Sequence, residues 1–125
     1  MNVSREEFER LTQETFDALP AQFQQNMDNV SVIIENEPTQ DTLQKMGIRT
    51  ASSLFGLYEG IPLNKRGAWY GMYPAIPDKI SLYKANIERG VRTEEELRSR
   101  IHRVLIHEIA HYYGMNEDEV RAAGY

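Results

Sequence analysis

The sequence predicts an α+β protein in which three or four short strands pack with about three helices. Apolar residues recur at helical spacing in two long segments, and each segment follows a residue that favours a helix N-cap. Short runs of β-branched and apolar residues, bounded by Pro or Gly, lie between these segments. The chain has 125 residues, of which 41% are hydrophobic, so we expect one domain with one core over residues 1–125.

The first predicted elements are a helix and a strand. Ser4 lies three residues before Glu7, which is the spacing of a capping box, and apolar residues then follow at helical intervals up to Pro20. The segment Val30–Glu35 is short and rich in β-branched residues, and Pro38 follows it. We expect it to form a strand with much of its surface buried.

Two further strands are predicted on either side of a long loop. Residues 39–53 have no firm period, and we interpret them as a loop with room for a helical turn. Residues 54–60 predict a second strand. Pro62 ends it, because proline cannot donate a hydrogen bond to a sheet. Residues 64–78 are rich in Gly, Pro and aromatic residues, and we expect a long loop that serves either packing or substrate binding. Residues 80–83 alternate in polarity, which predicts a third strand with one buried face.

The longest predicted element is a helix over residues 93–113. Thr93 and Glu96 have the capping-box spacing at its start, and Gly114 suits the left-handed turn that ends it. Its broad apolar face predicts a central position against the sheet. A short C-terminal helix is predicted to follow, with Asn116 as its N-cap.

The residues with the clearest chemistry lie late in that long helix, where the chain reads His-Glu-Ile-Ala-His, the HExxH pattern. His107 and His111 are one helical turn apart on one face, so their rings can converge on a single tetrahedral ion. Glu108 lies about 80° around the helix from the mean histidine direction, counting 100° per residue. This is the place of a general base beside a zinc ion. His102 points about 160° away and is interpreted as a packing or surface residue.

A catalytic zinc site needs a third protein ligand. Gly114 can reverse the chain and return the next residues towards the metal. Glu117 lies ten residues after His107, where the extended pattern HExxHxxGxxH has its third histidine. Asp118 is the alternative ligand, and Glu119 is a more distant one because the helix cap is expected to occupy it. The competing interpretation is two solvated helix histidines without a metal.

Composition excludes several classes of function. There is no cysteine, so disulfides, thiolate catalysis and Cys-ligated metals are excluded, and His with carboxylate ligands favours zinc. The net charge of −5 disfavours nucleic acid and anionic membranes as partners. We find neither a signal peptide nor an apolar run of membrane-spanning length, and we expect a cytoplasmic protein.

Three stretches of the sequence resemble one known family. They are residues 107–117, the run Gly-Leu-Tyr-Glu-Gly-Ile-Pro-Leu at 56–63, and the run Ile-Ser-Leu-Tyr at 80–83. Together they resemble the minimal zincin-like metallopeptidases of bacteria, and the resemblance covers most of the chain. It implies a short mixed sheet packed with helices that include the HExxH helix.

The resemblance also implies a set of site residues and an activity. His107 and His111 are implied as zinc ligands, Glu117 as the third ligand, and Glu108 as the general base. Asp is the more familiar third ligand in that family, so Asp118 is kept as the alternative. The implied activity is zinc-dependent hydrolysis of a peptide or protein substrate.

Two other functions compete with peptide hydrolysis. One is a zinc-binding regulatory or interaction protein on a zincin scaffold without turnover, since a bound ion stabilises a small core. The other is a metal-dependent nuclease with three histidines, which the acidic third ligand and the net charge disfavour.

The larger metzincins have a methionine turn and a C-terminal subdomain that forms the far wall of their cleft. Eight residues follow Glu117 here and none is Met, so we expect half a cleft. An extended peptide is expected to pair with the edge of the strand at 80–83. Low sequence selectivity, or a partner or second subunit that completes the site, would follow. Tyr83 and Tyr73 are the candidates to assist the oxyanion.

Overall fold

The computed structural model describes residues 1–27, 29–65 and 78–125. Six helices and three strands lie within these ranges, which confirms the α+β class and adds three short helices to the predicted ones. Single 3₁₀ turns lie at Ala51–Ser53 and Leu63–Lys65. In chain order the elements are α1 (Arg5–Asp17), α2 (Ala21–Gln24), β1 (Val30–Glu35), α3 (Gln40–Met46), β2 (Gly56–Glu59), β3 (Asp78–Tyr83), α4 (Lys84–Glu88), α5 (Glu94–Tyr112) and α6 (Glu117–Ala122).

The strands form a mixed sheet with the order β1-β3-β2. β3 pairs in parallel with β1, with Ile34 opposite Leu82, and antiparallel with β2, with Gly56 opposite Leu82. The mixed sheet agrees with the family resemblance. It also places β3 in the centre, so that both edges of this strand are occupied.

Two predictions about strand burial are wrong. β3 is buried on both faces instead of one, because structure covers each side of the central strand. β1 lies at an edge of the sheet, where Ile34 is its one buried residue and two of its six residues are exposed, although much of its surface was expected to be buried. β-branched residues suit any pleated surface, so their presence did not distinguish an edge strand from a central one.

α5 is the central helix of the core, as predicted. It packs against β2, β3 and α1, and nine of its nineteen residues are buried. Although α5 is long, it carries many charges, and no helix in the described ranges is long and apolar enough to cross a membrane. The side chains at the centre of the core are fully buried and include Phe8, Leu11, Ile80, Leu82, Leu97, Ile101, Leu105 and Ile109.

The three predicted N-caps are present. The side chains of Ser4, Thr93 and Asn116 each accept the backbone N–H of the third residue of the helix that follows. At Asn116 the capping box is complete, since the Glu119 carboxylate also accepts the N–H of Asn116 at 3.0 Å. These local hydrogen bonds fix where α1, α5 and α6 begin.

The segment predicted as a loop at 39–53 contains a helix. Thr39 caps α3, and Gly47 ends it with a φ of 67°. Leu43 is its one buried residue, so the helix has no apolar period for a sequence pattern to reveal. Most of the predicted loop at 64–78, with its aromatic residues, lies outside the described residues.

Candidate metal centre

Three side chains that the sequence predicted as ligands converge at the C-terminal end of α5. The Nε2 atoms of His107 and His111 are 3.3 Å apart. Oε1 of Glu117 lies 3.2 Å from Nε2 of His107 and 2.8 Å from Nε2 of His111. Within the ranges that the structure describes, this is the group of three donors that can hold a metal ion, and the alternative Asp118 is not part of it.

The donor set fits a zinc ion. Tetrahedral ligands that lie about 2.0–2.1 Å from zinc are roughly 3.3 Å from one another. Two of the three separations among His107, His111 and Glu117 are within about 0.1 Å of that spacing. The side chain of Glu117 is 55% exposed. The centre therefore opens to solvent, as a catalytic zinc site with a free fourth position requires.

A backbone hydrogen bond sets the tautomer of His111. Its Nδ1 lies 2.8 Å from the carbonyl oxygen of Met115. A carbonyl only accepts hydrogen bonds, so Nδ1 carries the hydrogen and donates it. In the neutral ring Nε2 then has a free lone pair directed at His107 and Glu117, which is the state that binds a metal.

The turn after α5 brings Glu117 to the histidines. Gly114 has a φ of 102°, a conformation in which a side chain is strained. The amides of Gly114 and Met115 donate to the carbonyls of His111 and Ala110, at 2.9 and 3.1 Å, which together form a Schellman motif. α6 then begins directly at Glu117, so a helix end and a helix start fix the position of Glu117 beside the histidines.

Electrostatics acts differently on the two carboxyl groups of the centre. Burial acts to raise the pKa of Glu117, but its hydrogen bonds with His107 and His111 outweigh burial and hold the pKa below its usual range. Burial also raises the pKa of Glu108, and here the opposing effects of the two histidines and a backbone amide do not reverse it.

Glu108 is held by the neighbouring strand. Its side chain is buried, and Oε1 accepts the backbone N–H of Tyr58 in β2 at 2.9 Å. The ring of Tyr58 packs edge-to-face on Tyr112, with 5.7 Å between the centroids. The predicted base therefore has a fixed position between α5 and the edge of the sheet.

Tyr58 and Asp78 are positioning residues that the sequence did not reveal. The hydroxyl of Tyr58 donates to Oδ1 of Asp78 at 2.7 Å, and the amide of Ile61 donates to the same oxygen at 3.2 Å. Asp78 is fully buried. These contacts tie the end of β2 to the start of β3 and hold the strand that binds Glu108.

A cleft of about 860 Å³ runs between β2 and α5 and includes the three converging side chains and Glu108. β2 lines this cleft and is an edge strand of the sheet, whereas β3 is not. The expectation that a peptide pairs with residues 80–83 is therefore wrong, because both edges of β3 are already occupied.

Tyr83 does not reach this cleft. Ile80 and Leu82 of β3 point into the core with α5, so Ser81 and Tyr83 point to the opposite face of the sheet. Tyr83 is 1% exposed, and burial, together with the nearby Glu35, raises its pKa to about 12. Its predicted role at the oxyanion is therefore wrong, and the other candidate, Tyr73, lies outside the described residues.

Gly56 allows β2 to lie directly against α5. A Cβ at this position would be 2.7 Å from Cγ1 of Val104 and 3.2 Å from Cγ of Glu108. We expect Gly56→Ala to lower the free energy of unfolding by about 1–3 kcal/mol, because the added methyl group forces β2 and α5 apart. Urea unfolding measures the change.

Val104→Ala is the matched second substitution, since it removes the atom that the new methyl group would meet. In the double variant the loss of stability should be smaller than the sum of the two single losses. Additive losses would show that the contact between residues 56 and 104 does not limit the approach of β2.

Comparison with known proteins agrees with this architecture. A family model described as zincin-like metallopeptidase matches residues 27–125. The matched range contains the whole sheet, α5 and the three converging side chains. The search of curated proteins found no match to the chain. With most of its length matched, the chain belongs to the zincin-like metallopeptidase family.

Proposed function

We propose that this protein is a zinc metallopeptidase, with His107, His111 and Glu117 as the metal ligands and Glu108 as the general base. The observation that carries the proposal is the convergence of three donor atoms beside a buried glutamate in an open cleft. Membership of the family supports peptide hydrolysis as the reaction class.

The residues of the cleft support a hydrolysis in which one water molecule is consumed. Bound zinc supplies Lewis acidity, which lowers the pKa of a water molecule and polarises a carbonyl group. Glu108 takes a proton from the water while the water oxygen adds to the peptide carbonyl carbon. The C–N bond then breaks and Glu108 gives the proton to the leaving amine, which restores the carboxylate. The Tyr58 amide occupies Oε1 throughout, so Oε2 is left for proton transfer.

β2 is the strand with which an extended substrate pairs. The amide of Tyr83 donates to the carbonyl of Phe55 at 3.0 Å, so the backbone groups of Phe55, Leu57 and Glu59 face β3. Those of Gly56 and Tyr58 therefore face the cleft. The Tyr58 amide is bound to Glu108, so the backbone groups of Gly56 and the carbonyl of Tyr58 remain for a substrate. Peptide binding by strand addition at this edge places the scissile bond beside Glu108.

Zinc content and cleavage of a peptide library test the proposal together. We expect one zinc per chain and cleavage products detectable by mass spectrometry, with activity lost on chelation and recovered when zinc is added. His111→Ala should lose the zinc. His102→Ala is the matched control, because this histidine of the same helix is exposed and lies outside the cleft.

The outcomes separate the competing functions. One bound zinc and no cleavage of any peptide would contradict the peptidase and favour a zinc-binding protein without turnover. The absence of bound zinc would contradict both.

A further inference from the structure

The cleft contains an arginine that the proposed chemistry does not use. Arg103 lies four residues before His107 on α5, so Arg103, His107 and His111 form one stripe along the helix. Arg103 is exposed and lines the cleft. A positive charge therefore lies one helical turn from the metal centre.

The neighbouring arginines of α5 have structural partners, whereas Arg103 has none among the described residues. Arg98 donates to the carboxylate of Glu14 at 2.9 Å. Arg100 donates to the carbonyl oxygens of Ile87 and Arg89 at the end of α4. Arg103 makes neither a hydrogen bond nor an ion pair within the parts of the chain that the structure describes, so its guanidinium is available to a ligand in the cleft.

The direction of β2 decides which part of a peptide meets Arg103. Gly56 approaches Val104 and Glu108, and Tyr58 contacts Glu108 and Tyr112, so β2 and α5 run in the same direction along the cleft. Antiparallel pairing is slightly more stable than parallel pairing. A peptide antiparallel to β2 therefore has its C-terminal part at the end of the cleft where Arg103 lies.

The distance between Arg103 and His107 along α5 sets which peptide residue Arg103 can reach. A rise of 1.5 Å per residue places Arg103 about 6 Å before His107 along α5. An extended peptide advances about 3.3 Å per residue, so this distance corresponds to one or two residues after the scissile bond.

The surroundings of Arg103 favour an ion pair. Phe55 and Met46 line the cleft, and their exposed fractions are 42% and 47%. Phe55 directly precedes β2 and so lies at the Arg103 end. Apolar surface lowers the local dielectric, which strengthens the attraction between a guanidinium and a carboxylate. Arginine also matches a carboxylate with two parallel hydrogen bonds.

We propose that Arg103 binds a carboxylate carried by the first or second peptide residue after the scissile bond. This inference rests on the proposed function and names its substrate class, peptides with a negative charge at that place. The carboxylate belongs either to an Asp or Glu side chain or to the C-terminus of the peptide. The same ion pair forms in both cases.

The test compares cleavage of three matched peptides that share one cleaved sequence. The first has Asp or Glu in the first or second position after the bond and an amidated C-terminus. The second has Asn or Gln there instead, and the third is neutral and ends two residues after the bond with a free carboxylate. We expect kcat/KM to be about tenfold to a hundredfold higher for at least one carboxylate-bearing peptide than for the neutral amide, the range for hydrogen bonds to charged groups.

The arginine variants assign that preference to one side chain. In Arg103→Gln the ratio of kcat/KM between charged and neutral peptides should fall to about one. Arg92→Gln, which removes an exposed arginine outside the cleft, should keep the wild-type ratio. If only the peptide with the free C-terminus is cleaved faster than the neutral amide, Arg103 binds the carboxylate of the chain end. If the peptide with Asp or Glu is cleaved faster, Arg103 binds the side-chain carboxylate.

Binding provides a second readout that does not depend on turnover. Calorimetry with zinc-loaded Glu108→Gln protein should show tighter binding of the charged peptides, and adding Arg103→Gln should remove the difference. Equal binding and equal kcat/KM for all three peptides would overturn the inference and leave the peptidase proposal intact. If no peptide is cleaved, the peptidase proposal fails, and the binding difference still decides the role of Arg103.

Discussion

Glu108→Gln should abolish most peptide hydrolysis while the protein keeps its zinc. The amide oxygen of Gln can accept the N–H of Tyr58 as Oε1 does now, so the side chain keeps its place. It cannot take a proton from water, and the loss of a general base lowers kcat by about 10²–10⁴-fold. The measurements are kcat on a cleaved library peptide and the zinc content of the same sample.

Glu95→Gln is the matched control, since Glu95 is an exposed glutamate in the first turn of the same helix. It should behave as the wild type in both measurements. Hydrolysis that persists in Glu108→Gln at the wild-type rate, with zinc bound, would remove Glu108 from the mechanism.

Glu117→Ala should weaken zinc binding by more than about a hundredfold. Loss of a group that merely hydrogen-bonds to a metal ligand already costs about 10–100-fold in affinity, and the loss of a direct ligand costs more. Ala is a good helix former and the Asn116 cap is unchanged, so α6 should remain folded. Competition with a coloured chelator measures the affinity.

Asp118→Ala provides the comparison, because Asp118 is adjacent in α6 but is not part of the converging group. We expect its zinc affinity to equal that of the wild type. The reverse result, with affinity lost in Asp118→Ala and retained in Glu117→Ala, would make Asp118 the third ligand.

The candidate metal centre was predictable because it is local in sequence. His107, Glu108 and His111 lie within five residues of one helix, and the helical period alone fixes their relative directions. Gly114 and the Asn116 cap then determine the turn that returns Glu117. Each of these signals is a known preference of a residue type for a backbone conformation. The sequence was therefore sufficient to bring Glu117 to the two histidines, although it left Asp118 open as the alternative.

The support of the centre was not predictable, because it depends on contacts between distant residues. Tyr58 holds Glu108 across fifty positions of the chain and does so through its backbone amide. Every residue except proline has that amide, so no pattern distinguishes position 58. The same limit applies to the burial of β3, since alternation at 80–83 does not reveal whether both faces of the sheet are covered.

The hydrogen bond between the His111 ring and the backbone carbonyl of Met115 orients the histidine without using a side chain. The side chain of Met115 is therefore not needed for that orientation. Where a carboxylate orients a ligating histidine, mutation of that carboxylate disturbs the metal. Here the acceptor is a main-chain oxygen, which every amino acid has, and Met115 also lines the cleft. The side chain at position 115 can therefore change within the cleft while the orientation of His111 stays the same.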